Sequence, residues 1–165
     1  YDYPDDEQFS KSIRVSNIYN KTTLCRYVLN SVEKSMDSVR GHKDFIDLNY
    51  ATSTSEHIIP IDHSHWEDEI ENWEIPDGYD TIEEWLEKNK NCIGNLTILL
   101  PYENSELSNS PWAEKREYYN RQSKYKSTKK VGELDLINPQ SITKRTDEFI
   151  EWALQRWPLY DVDNA

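Results

Sequence analysis

The strongest constraint on this chain is how little sheet it can build. Two stretches have the apolar, β-branched character of strands. "GNLTILL", residues 94–100, is the clearer of them. "TSEHIIPI", residues 54–61, reads as a second strand with a polar start, and residues 45–48 add at most a short third. Two core strands cannot make a large sheet. The natural architecture is a mainly helical α+β domain built around one hairpin.

The helical signals agree. Over residues 21–36, Leu24, Tyr27, Val28, Val32 and Met36 recur at helical spacing, with Asn20 as the cap. Trp66, Ile70 and Trp73 suggest a short acidic helix. Asp80 caps the next one, which carries Ile82, Trp85 and Leu86, with Glu84 three residues after Thr81. Pro111, preceded by Ser110, opens a helix running to about Ser123. "STKKVGELD", residues 127–135, reads as a loop or weak hairpin. Pro139 opens the last helix, whose stripe is Ile142, Phe149, Ile150, Ala153, Leu154 and Trp157, and Pro158 ends it.

A length of 165 residues suits one compact domain, and six Trp and eleven Tyr supply much of its core. No run of eighteen apolar residues exists to span a membrane. The opening "YDYPDDEQF" is acidic and polar, unlike a signal peptide, and it lacks Met. The expectation is a fragment of a longer protein or a processed chain. Cys25 and Cys92 stand far apart with no CxxC spacing, which removes the usual zinc and disulfide frameworks. Two such thiols point to a reducing, cytoplasmic compartment.

The net charge of −12 argues against a phosphate-rich partner. The average hides a division. Over residues 56–90 only Lys88 and Lys90 oppose a long series of acids. Over residues 115–145 the balance reverses: Lys115, Arg116, Arg121, Lys124, Lys126, Lys129, Lys130, Lys144 and Arg145 face only Glu117, Glu133 and Asp135. This basic segment is interleaved with Tyr118, Tyr119 and Tyr125, a pattern that suits a nucleic-acid backbone. A solvated helix and loop have the same composition.

Several polar residues interrupt the apolar pattern: Glu56, His57, Asn95, Asn104 and Asn109. If the two strands pair and the following segment crosses them, these groups converge. A carboxylate and an amide oxygen are hard ligands that suit Mg²⁺. An imidazole that is not a ligand can take a proton from water. Together the parts suit phosphodiester hydrolysis, with His57 activating water and a metal held by Glu56 and Asn104. There is a geometric condition. Neighbours on a regular strand face opposite ways, so Glu56 and His57 share a site only if the strand twists, bulges or ends there. The bland alternatives are a salt-bridged Glu56, a turn residue at Asn95 and a helix cap at Asn104. His63 and His65 look like a metal pair at i and i+2 but have no companion signal.

"SEHIIP" followed by "CIGNLTILLPYENSELSNSPWAEKREYY" resembles the HNH-type ββα-metal nucleases. Within that group it is most similar to the C-terminal domain of GmrSD-type modification-dependent restriction enzymes. The stretches around residues 21–36 and 141–158 also resemble that domain's flanking helices. The resemblance implies one domain over residues 1–165, with a core at about 52–126 and flanking helices at about 20–38 and 139–157. It implies Glu56 as metal ligand, His57 as general base, Asn95 as hairpin fastener and Asn104 as the last metal ligand, with Asn109 as rival. It implies Lys115, with Arg116, Lys124 and Lys126, on the DNA side. The implied cofactor is Mg²⁺ or Mn²⁺, without structural zinc. The implied partners are foreign or modified DNA and an N-terminal NTPase-like sensing domain. A degenerate, non-cutting module and an RNA-cutting toxin are the alternatives on the same scaffold.

Overall fold

The computed structural model describes residues 4–38 and 53–158. Helix α1 (Asp6–Arg14) leads through a 3-10 turn, Ile18–Asn20, into α2 (Thr22–Ser38). Strand β1 (Thr54–His57), α3 (Glu67–Ile70) and α4 (Ile82–Asn89) follow. A second 3-10 turn, Ile93–Asn95, runs straight into β2 (Leu96–Leu99). Then come α5 (Pro101–Leu107), α6 (Trp112–Arg121), α7 (Lys126–Gly132) and α8 (Pro139–Arg156). The class is the expected one: mainly helical, with a two-stranded antiparallel sheet. The proposed strand at residues 45–48 lies outside the described residues.

Three local expectations are corrected. The first strand stops at His57 rather than running to residue 61. Beyond it, Ile59 N–H donates to Asn95 Oδ1 and Ile59 C=O accepts from Asn95 Nδ2, and Pro60 has no N–H for a ladder. Thr81, not Asp80, caps α4. Its hydroxyl accepts from Glu84 N at 3.1 Å, and the Glu84 carboxylate returns to Asp80 N at 3.0 Å. Helix α1 adds to the expected elements; Asp5 fixes its start by accepting from Gln8 N at 2.7 Å. Residues 126–132 are helical, not a loop or hairpin. The carboxylate of Glu33 on α2 accepts from the Lys126 and Ser127 amides at 2.8 and 2.7 Å, which supplies the missing cap from across the molecule.

The hairpin is the central layer. Its register pairs Glu56 with Thr97 and His57 with Leu96. Facing partners in an antiparallel pair share a side, so Glu56 and Leu99 lie on one face and His57, Leu96, Ser55 and Ile98 on the other. The first face meets a core of Trp66, Trp85, Trp112, Tyr119 and Ile142. The second meets Cys25, Val28 and Leu29 of α2 with Tyr125. Three of the six Trp are buried in the first core; Trp157 is among the exposed apolar residues.

Helix α8 closes on the second 3-10 turn. A Cβ at Gly94 would sit 2.2 Å from Ile142 O and 2.3 Å from Thr146 Oγ1, so only glycine allows this approach. Arg145 on the same helix donates to Gly94 O at 2.8 Å and Leu96 O at 3.1 Å. The entry to β2 is therefore clamped by one helix face. Among the described residues, no helix is long and apolar enough to cross a membrane.

Candidate functional site

Because β1 stays regular through residue 57, its last two side chains go to opposite faces. Glu56 enters the core beneath α6. Its Oε1 accepts from Lys115 Nζ at 2.6 Å, and the same ammonium donates to His57 O at 2.7 Å. Glu56 is 4% exposed and Lys115 0%. Burial pushes the carboxyl up and the ammonium down, and the ion pair opposes both. The buried hydroxyl of Tyr119 lies beside this carboxylate without a full hydrogen bond. Burial first, and then the Glu56 charge, drive its ionisation well above the usual phenol range.

This corrects two readings. Lys115 is not a phosphate contact, because its ammonium is enclosed and held by two acceptors. Glu56, expected to share a metal ion with Asn104, instead gives its carboxylate to Lys115. A resident ammonium, not an open ligand position, stands at its carboxylate.

His57 faces the other side, at the end of β1. Its Nε2 lies 2.8 Å from Asn91 Oδ1. The Tyr19 ring covers the imidazole, with centroids 4.2 Å apart and a 49° tilt. His57 is 8% exposed. Burial lowers its pKa from the ordinary 6.5; the Asn91 bond opposes, and Lys115 and Lys90 add to the lowering. The imidazole is therefore neutral at pH 7, the state a general base requires. Nδ1 has no hydrogen-bond partner among the described residues.

Asn95 sits at the start of β2 as a three-way tie. Its Oδ1 accepts from Ile59 N at 2.8 Å; its Nδ2 donates to Ile59 O at 3.0 Å and Lys90 O at 2.9 Å. Its backbone O accepts from Ile58 N at 2.9 Å. Asn95 thus joins the segment just after His57 to the loop that carries Asn91. It does not face open solvent, being 2% exposed.

Asn104 lies on α5, the helix that follows β2. Its Nδ2 donates to Ser55 O at 3.1 Å, which pins α5 against β1 and leaves its amide oxygen free of that bond. Asn109 lies beyond the helix and donates to Asp62 Oδ2 at 3.1 Å on an exposed face. Of the basic residues, Arg116 is tied to Gly132 O and Asp135. Lys124, Lys126 and Lys129 are exposed. His63 is turned to Ile61 O at 3.2 Å, and His65 is exposed.

Among the described residues, no group of three or more His, Cys, Asp or Glu gathers as metal ligands would. Mg²⁺ does not need such a cage. It keeps several waters and completes its octahedron with substrate phosphate. The donor chemistry fits a hard cation bound that way through Asn104, and it does not fit one bound to Glu56.

Sequence reasoning missed Asn91, Tyr19 and the true role of Lys115. Asn91 reads as a loop polar residue in "NKNCIGN", and Tyr19 as one aromatic among eleven tyrosines. Residues 3–152 match the family model described as GmrSD restriction endonucleases, C-terminal domain. No curated protein matches the chain.

Proposed function

Since the chain belongs to the family of GmrSD restriction endonuclease C-terminal domains, we propose that it hydrolyses DNA phosphodiesters with His57 as general base. The observation that carries this reading is the His57 imidazole: neutral, held through one nitrogen, with the other unpaired among the described residues. A water proton passes to the imidazole. The resulting hydroxide oxygen bonds to phosphorus while the bond to one bridging oxygen breaks. General-base catalysis supplies about 10²–10⁴-fold.

Asn104 would hold a divalent cation, Mg²⁺ or Mn²⁺, arriving with the phosphate. Such a cation supplies charge stabilisation to the phosphoryl oxygens and the leaving oxygen. Asn95 keeps the strand end and the adjoining loop in register. The exposed Lys124, Lys126 and Lys129 would follow the DNA backbone. The family description is what supports a role in restriction; foreign or modified DNA is the substrate we infer, with a sensing domain elsewhere in the system.

One observation favours a second reading, a DNA- or partner-binding module without catalysis. The acid beside the histidine is neutralised by Lys115. The two readings separate on His57→Ala. Loss of plasmid nicking by about 10²-fold or more, with an unchanged melting profile, supports the enzyme. Unchanged nicking rejects His57 as the base. Parallel assays on an RNA of the same sequence separate an RNA-cutting activity.

A further inference from the structure

We propose that Asn91 is a positioning residue that holds the Nε2 proton of His57, so that Nδ1 is the nitrogen offered to water. This rests on the reading of His57 as general base.

A neutral imidazole has one donor nitrogen and one acceptor nitrogen. Which is which follows from the bond the other one makes. At 2.8 Å from Nε2, Asn91 Oδ1 can only accept. The proton is therefore on Nε2, and the lone pair is on Nδ1. Asn91 is itself 8% exposed, so water does not compete freely for this bond.

The surroundings make the contact rigid. Tyr19 lies against the ring face at 4.2 Å and blocks its swing. The Tyr19 amide donates to Asn91 O at 3.5 Å, which links the covering ring to the orienting residue. The Asn95 side chain grips Lys90 O on one side and Ile59 on the other. The residue before Asn91 and the residue two beyond His57 are thus fastened to a single amide. Lys115 holds His57 O from the opposite face at 2.7 Å. An amide suits this duty better than a carboxylate. It orients the ring without adding a negative charge that would favour the protonated imidazolium.

The test is nitrogen-15 NMR of histidine-labelled full chain at pH 7.5, with plasmid nicking in Mg²⁺ alongside. The expected result is an Nε2–H tautomer for His57, assigned by its loss in His57→Ala. Asn91→Leu should lose that tautomer preference and lower kcat by roughly 10–100-fold, with KM for DNA little changed. Asn91→Asp, which keeps an acceptor oxygen, should retain the Nε2–H signature even if the leucine variant folds poorly. An Nδ1–H tautomer in the unmodified protein overturns the proposal. So does a leucine variant with the same tautomer and full activity. If His57→Ala cuts DNA normally, the nuclease reading fails, while the tautomer measurement still decides whether Asn91 sets the ring.

Discussion

At the scale of single residues, Glu56 and Lys115 form a buried pair whose worth lies in being intact. Removing either partner strands a charge in the core, which typically costs about 3–5 kcal/mol. Urea unfolding of Glu56→Met and of Lys115→Met should each show a loss of that order. The double variant should recover most of it, because two apolar side chains of similar bulk leave no stranded charge. Additive losses would contradict the pairing. His57 carries a pH prediction with a definite sign. Its pKa lies below 6.5, and only the neutral ring accepts a proton. Single-turnover nicking should rise with pH through that lowered value and be level across neutrality; an acid limb centred above 6.5 would refute it. The unfolded chain binds the proton more readily in the window between the two values, so stability also falls as pH drops through it. Glu56 and His57 were legible as a conspicuous pair because charge in an apolar run needs a reason. Their separate duties were not, because Lys115 and Asn91 lie 59 and 34 positions away.

At the scale of elements, α7 shows where local reasoning stops. Its residues make a weak helix by composition, and Gly132 ends it. The cap comes from Glu33, 93 positions upstream, which no window along the chain contains. The outcome bears on the proposed DNA path. Folding 126–132 into a helix sets Lys129 on a fixed surface and leaves it exposed, with Lys124 just ahead of it. Replacing Lys124 and Lys129 by alanine should weaken DNA binding across sequences and reduce the slope of log K against log salt by about 2. An unchanged slope would take this segment off the DNA path. The helices at residues 22–38 and 139–156 were readable because their apolar stripes are regular and Pro139 marks a start.

At the scale of the whole molecule, the hairpin is held from both faces and from its entry. Gly94 is the narrowest point: Ile142 and Thr146 of α8 leave no room for a methyl group. Gly94→Ala should lower stability by about 1–3 kcal/mol and reduce nicking through displacement of the hairpin. Thermal melting measures the first effect. Wild-type stability would mean α8 does not press on this turn. The motif "IGN" was visible in the sequence, but the reason for its glycine is a helix some fifty positions later, at residues 139–156. The opposed faces of β1 carry one more consequence. An alanine scan across this strand would find position 56 as damaging as position 57 and tempt an experimenter to count both as reagents. The first would be a snapped guy-rope and the second a missing tool. Calorimetry, rather than a gel of cut plasmid, tells a slackened frame from lost chemistry.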